Sequence, residues 1–229
     1  PLFQLIYWQL SESSINLLSN VNLLINSSIL GFAVGIFTIF FATALSLSYR
    51  QSNKLKLLLS ISTSGYAIPG SVISAGLLIG FDAIFGTSIT IYGIFGLILC
   101  LSLRFMTPAY NYSSSSLANI SKSSENALSL IPSNPLKAFS SFYYPQMKSA
   151  LFLGFMIVFI ESVKEQPATL LLRPVGFDTL STKIYNFTSE GEWEMAASPS
   201  LLLIFLSLVF VYFCLLYTSD AADDIGRGG

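Results

Sequence analysis

The sequence predicts an all-α fold, a polytopic bundle of membrane helices, and three observations predict it. Of 229 residues, 53% are hydrophobic and only 10% charged, against roughly 45–50% and 25% in an average soluble domain; mean hydropathy is +0.68. The charges are spaced so that long uncharged stretches separate them, and a spanning helix needs about 20 such residues. The alternating segments of about 10 residues that mark an outer-membrane barrel are absent from the text. Lipid-exposed backbone must then be hydrogen-bonded within helices.

The same composition removes whole classes of function. A net charge of −1 offers no electrostatic footprint for nucleic acid. There is no histidine, the commonest general base and metal ligand. Two cysteines, Cys100 and Cys214, are too few for a disulfide framework or a zinc site. A membrane-embedded enzyme therefore lacks its usual parts.

The elements follow in order. Pro1 opens an apolar run through Trp8 with no basic residue before it, unlike a signal peptide; residues 1–10 read as the outer end of a sixth, truncated span. Residues 13–49 carry no charge, and their apolar part, 25–48, is the first full span. Residues 57–81 form the second and 83–103 the third. A loop over 107–147 begins as a Ser-rich linker, Ser113 to Ser116. Within it Ser124 is suited to cap a short helix, with Glu125 favourable against the N-terminal dipole, and Pro132 ends that helix. Asn134 caps a second one with Pro135 at its first position. Two such helices suit a docking knob for a cytosolic partner, or a solvated loop with local helix. The fourth span, 148–166, carries Glu161, Lys164 and Glu165 at its far end. The stretch 165–185 is too apolar for a free loop and is interrupted by Pro167, Pro174 and Gly176, so it should pack back into the mouth of the bundle, where non-helical backbone is tolerated. A fifth span starts at Pro199.

The stretch 214–229 turns acidic and Gly-rich and resembles translated sequencing-adapter text, to be set apart from the fold. Without Asp220, Asp223, Asp224 and Arg227, the 11 basic and 12 acidic residues become 10 and 9. Residues 1–213 are thus read as the transmembrane domain and 214–229 as a non-native tail that adds no packing.

Basic residues orient the bundle. Arg50, Lys54, Lys56, Arg104, Lys122, Lys137 and Lys148 fall on one side, seven against Lys164, Arg173 and Lys183 on the other. The seven mark the cytoplasmic face; 167–198 lies outside. Trp8, Trp193 and Tyr185 are suited to the interfacial belt.

The run from Glu165 through Pro167-Ala-Thr169-Leu-Leu-Leu-Arg173-Pro-x-Gly-Phe-Asp178 to Tyr185 resembles the signature of ferric-iron ABC-transporter permeases. Gly65-Tyr66-Ala-Ile-Pro69-Gly70 and Arg104-Phe105 resemble their second and third spans. The loop at Glu125-Asn126-Ala127 is similar to the "EAA" loop of binding-protein-dependent permeases, with Pro145 as its closing proline. It departs from it at Asn126 and Ile131, and by one extra residue before Pro145. The likeness covers residues 1–213 and corresponds to the C-terminal half of a fused permease.

The resemblance implies a type I importer fold, a multi-pass protein of the bacterial inner membrane. Its partners would be a cytosolic ABC ATPase dimer, a periplasmic iron-binding protein, the other permease half and the lipid bilayer, with no nucleic acid. Glu125, Asn126, Ala127, Leu130, Pro135 and Pro145 would couple to the ATPase. The text has no Gly-x-x-x-x-Gly-Lys-Ser/Thr. This chain is therefore expected to be a transport subunit, not an enzyme, binding no cofactor itself, with ATP on the partner.

For the path, Gly65, Tyr66, Pro69 and Gly70 read either as a helix break or as close helix packing. Glu161 and Glu165 are spaced to share a helix face and are transient oxygen ligands for a hard ferric ion, or else an interfacial ion pair with Lys164. Arg173 and Asp178 are spaced to clamp the outer segment that carries Pro167 and Thr169. Other cargoes (thiamine, an aminophosphonate, sulfate) and a secondary transporter remain open alternatives.

Overall fold

The computed structural model describes residues 2–11, 20–51, 56–86, 93–129 and 134–227. All elements among them are helical. Helix α1 (Leu2–Ser11) is followed by α2 (Val21–Gln51), α3 (Lys56–Ser64) and α4 (Gly70–Phe85). Then come α5 (Gly93–Arg104), α6 (Met106–Ala118), α7 (Lys122–Ser129), α8 (Pro135–Ala138) and α9 (Tyr144–Lys164). Next come α10 (Pro167–Leu172) and α11 (Leu180–Ser189), at the end of the bundle opposite Arg50, and α12 (Ala197–Arg227) closes the bundle. Val21–Arg50, Pro135–Lys164 and Ala197–Thr218 are long and apolar enough to cross a membrane, and the bent pair α5–α6 makes a fourth such unit.

The frame is α2, α6 and α9, packed along one another. Small residues let them approach: Gly31 and Gly35 face Phe159 and Phe155, and Gly154 faces Ile39 and Tyr112. Close approach through small residues is how helices associate in lipid, where no hydrophobic force separates protein from solvent. An aromatic seam joins α9 to α12, with Phe159 stacked on Phe210 at 3.7 Å and Phe32 edge-on to both.

Several sequence expectations are corrected here. The third span does not run over 83–103: residues 83–85 finish α4, and the span starts at Gly93 and continues through a 55° bend to Ala118. Pro108 accounts for the bend, since it has no N–H for the Arg104 carbonyl and its ring crowds that group. The Ser-rich segment is therefore no linker. Ser113 is fully buried and lies 3.4 Å from the Thr43 hydroxyl. Serines there are small contact residues, and their polarity was misleading.

Arg104 also leaves the cytoplasmic face. Leu97, Cys100 and Leu101, just before it, share one buried cluster with Leu30 and Val34, near the middle of α2. Arg104 thus lies at membrane depth, and the seven-to-three bias becomes six to three, which keeps the same sign.

The cap of α7 is Ser121, not Ser124: the Ser124 N–H donates to Ser121 Oγ at 3.2 Å. At α8 the expected cap holds, with the Leu136 N–H donating to Asn134 Oδ1 at 3.1 Å. Lys54, Leu130, Ile131 and Pro132 lie outside the described residues. Helix α12 continues to Arg227, and Tyr217 packs on Phe152 with ring centroids 4.7 Å apart. The segment after 213 therefore adds a packing contact.

Candidate functional site

Three separate sequence motifs meet at one place. The second span is broken: α3 ends at Ser64, Gly65–Ala67 make a 3-10 turn, and Ile68 and Pro69 are extended before α4 begins at Gly70. Such a break strands backbone carbonyls away from water, and each must find a donor. The bent third span supplies them. Thr107 Oγ1 donates to the Thr63 carbonyl at 2.6 Å, and Arg104 Nη1 donates to the Ile68 carbonyl at 2.6 Å.

Gly65 and Gly70 allow the approach. A Cβ on Gly65 would overlap the Leu103 carbonyl oxygen, and one on Gly70 would overlap Glu165 Oε1. The Gly65–Gly70 motif is thus a helix break and a close contact at once, while Tyr66 points away, 54% exposed.

The third motif arrives from α9. That helix ends at Lys164, and Glu165 turns into extended backbone (φ −70°, ψ 115°). Glu165 is buried, and its Oε2 lies 3.2 Å from Arg104 Nε. Its other oxygen, Oε1, is buried with no hydrogen-bond partner. The corner is held by its own carbonyl: Thr169 Oγ1 donates to Glu165 O at 2.7 Å and Ser181 Oγ at 3.3 Å. Pro167 starts α10, whose Ala168 and Thr169 are fully buried. The outer segment does pack into the bundle mouth.

The two carboxylates spaced to share a face have different partners: Glu165, at the end of α9, is buried against Arg104, while Glu161 stays at the rim with Lys164 Nζ at 2.8 Å. Among the described residues no three Asp, Glu, Cys or His side chains are grouped to hold a metal ion. Arg173 and Asp178 form an ion pair that closes the outer segment. The reading of the sequence missed what anchors this segment to α2: Asn26 Nδ2 donates to the Asp178 carbonyl at 2.9 Å, and the Leu180 N–H donates to Ser27 Oγ at 2.8 Å. The polar run Asn26-Ser27-Ser28 near the start of an apolar span was the available signal.

At the opposite end, Arg50 gathers the inner loop. Its Nε donates to Glu125 Oε2 at 2.9 Å, Nη2 to the Ile120 carbonyl at 2.5 Å, and Nη1 to the Leu117 carbonyl. Glu125 therefore faces the bundle, whereas Asn126 and Ala127 lie on the exposed side of α7. Pro135 begins α8 and Pro145 sits in the first turn of α9.

This architecture is found in a solved transporter. A chain of the MetNI methionine ABC transporter, in an inward-facing form, superposes with a TM-score of 0.66 over 91% of this chain and 94% of its own, at 17% identity. The fold is that of an ABC-transporter permease. No protein-family model matches the sequence. Among curated proteins, the ferric transport system permease protein FbpB of Actinobacillus pleuropneumoniae is 29% identical over 124 residues, 53% of this chain. The Fe(3+)-transport system permease protein FbpB 2 of Haemophilus influenzae is 26% identical over 147 residues, 64% of this chain. The chain spans only 18% and 29% of the length of these two relatives. The resemblance to ferric ABC permeases read from the motifs agrees with these relatives, and the apolar spans make this a multi-pass protein of the bacterial inner membrane.

Proposed function

We propose that the chain is part of the transmembrane subunit of an ATP-driven iron(III) importer, the C-terminal half of a fused permease. It takes ferric ion from a periplasmic binding protein and couples to a cytosolic ATPase dimer through α7 and α8. The observation that carries this reading is the meeting of Gly65–Gly70, Arg104 and Glu165–Thr169 in one place within a permease fold. These are the same residues on which the likeness to ferric permeases rests. The cargo comes from the names of the relatives.

In this scheme the subunit performs no chemistry. ATP is bound and hydrolysed on the partner, and the docking helices pass the motion to α2 and α9. The broken second span, the bent third span and the α9–α10 corner line or gate the path. Ferric ion is a hard cation that prefers oxygen donors; backbone oxygens around the Gly65–Gly70 break have suitable chemistry, and the Glu165 carboxylate would reach the ion only in a conformation in which it has left Arg104.

The test is ATP-dependent uptake in vesicles holding the full permease with its neighbouring ATPase and binding protein. Ferric ion should be accumulated; thiamine, sulfate and an aminophosphonate should not. Uptake of one of these instead would keep the machine and change its cargo, and uptake independent of ATP would reject the class.

A further inference from the structure

We propose that Arg104 is the positioning residue of the path. Its guanidinium locks the broken second span, the bent third span and the α9–α10 corner into one body, with the charge of Glu165 committed to the lock. The transport setting rests on the function proposed above; the lock rests on geometry alone.

Three elements from distant parts of the chain converge on this one side chain. Arg104 closes α5 at the bend. It reaches the Ile68 carbonyl at 2.6 Å, 36 residues earlier, and the Glu165 carboxylate at 3.2 Å, 61 residues later. The guanidinium donates a hydrogen bond to the Ile68 carbonyl through Nη1 and meets Glu165 through Nε as an ion pair without a hydrogen bond, and its planar, delocalised charge serves two sides at once, which an ammonium does less well. A carboxylate left buried without its cation is strongly penalised, so the pair is costly to break. Around it the packing is tight: Gly70 touches Glu165, and Phe105, next to Arg104, is 2% exposed. Among the described residues no other cation pairs with Glu165: Lys164 is paired with Glu161, and Arg173 with Asp178.

Two consequences separate this from a carboxylate that meets the cargo. Removing Glu165 undoes the charge pair, and removing Arg104 undoes both the pair and the Ile68 contact, so Arg104→Gln should have the larger effect and removing both should add little to it. The effect should also be a loosening of the junction, visible without cargo. Cys100 is the reporter: it is fully buried one turn before Arg104, at the same helix face.

The experiment is performed on the full chain in native membranes in a Cys214→Ser background. Modification of Cys100 by methyl methanethiosulfonate is followed by intact mass in wild type, Arg104→Gln, Glu165→Gln and the double variant. Cys100 should react at least about tenfold faster in each single variant, and the double variant should match the faster single. Arg104→Lys, which keeps the charge but weakens the grip on Ile68, should fall between, and it serves if Arg104→Gln does not fold. In vesicles that import iron, both singles should lower the ions moved per ATP hydrolysed while KM for ferric ion stays within about twofold. Unchanged Cys100 reactivity in folded variants overturns the proposal. So does a rise in ferric KM confined to Glu165→Gln. If wild type imports no iron, the proposed cargo fails, and Cys100 still decides the lock.

Discussion

Arg50 and Glu125, 75 residues apart, are joined at the inner end of the bundle by a hydrogen bond of 2.9 Å. The same guanidinium holds the Ile120 carbonyl, so the last turn of α2, the end of α6 and the start of α7 share one anchor. A docking helix tied this way transmits force to a spanning helix directly. Hydrogen bonds to charged groups contribute about 1.5–3 kcal/mol each. Arg50→Gln and Glu125→Lys should therefore both abolish substrate-stimulated ATP hydrolysis with insertion unchanged, and Glu125→Lys should be the worse, since it sets two cations together. ATPase assays on the reconstituted complex check this. A normal stimulated rate in both variants would detach α7 from coupling.

Ala127 tests the other face of that helix. It is exposed on α7, with no contact whose loss would unfold the bundle. Ala127→Trp should leave thermal stability near wild type, as surface changes stay within about 0.5 kcal/mol, and should block co-purification of the ATPase. Retained co-purification would move the docking surface elsewhere.

The two glycines of the broken span should differ in their tolerance. A Cβ at Gly65 meets the Leu103 carbonyl, which is backbone and fixed; at Gly70 it meets the far end of the Glu165 side chain, which is flexible. Overpacking costs typically about 1–3 kcal/mol. Gly65→Ala should thus lower the melting temperature more than Gly70→Ala, while Gly70→Ala should disturb transport more than its stability loss accounts for, by displacing Glu165 from Arg104. Melting curves beside uptake per folded molecule separate the two effects.

Spans and pattern breaks were legible because charge gaps report lipid exposure directly: α2, α9 and α12 fall where the uncharged stretches are. Glycine and proline marked the break at Gly65–Pro69 and the outer segment at Pro167. What local patterning hides is pairing across the bundle. Arg104 read as a loop cation because a charge ends an apolar run in either case; only its partners, Ile68 and Glu165, show that the helix continues beyond it. Ser113 read as a linker because a small polar residue looks the same in solvent and at a helix contact. Glu165 follows helical spacing from Glu161, and the spacing could not show that Arg104, from another helix, waits beside the one and Lys164 beside the other.

Sidedness follows from the two ends of α2. Arg50 binds the α6–α7 junction, and Asn26 and Ser27 bind the 178–180 segment. Ser123 and Ser189 are exposed at those opposite ends. Single cysteines there, in a background lacking Cys100 and Cys214, should react with an impermeant maleimide from opposite sides of the membrane, Ser189→Cys from outside. Labelling of both from one side would refute the topology.

Glu161 and Glu165 should behave as unrelated residues despite their spacing. Glu161 and Lys164 are 36% and 46% exposed, so their ion pair is open to solvent and worth roughly 0–1 kcal/mol. Glu161→Gln should leave stability and uptake close to wild type. Glu165 is 9% exposed at its side chain and paired with Arg104, and unpairing a buried ion costs about 3–5 kcal/mol. Glu165→Gln should therefore reduce folded yield or loosen the junction, and uptake with it. The measurement is iron uptake normalised to folded protein, with ferric KM taken for each variant. A matched rise in KM for both would mean that the two carboxylates meet on the cargo in another conformation, one in which Glu165 has left Arg104. A loss confined to Glu165→Gln and shared with Arg104→Gln would leave Glu161 as a helix-end anchor and nothing more.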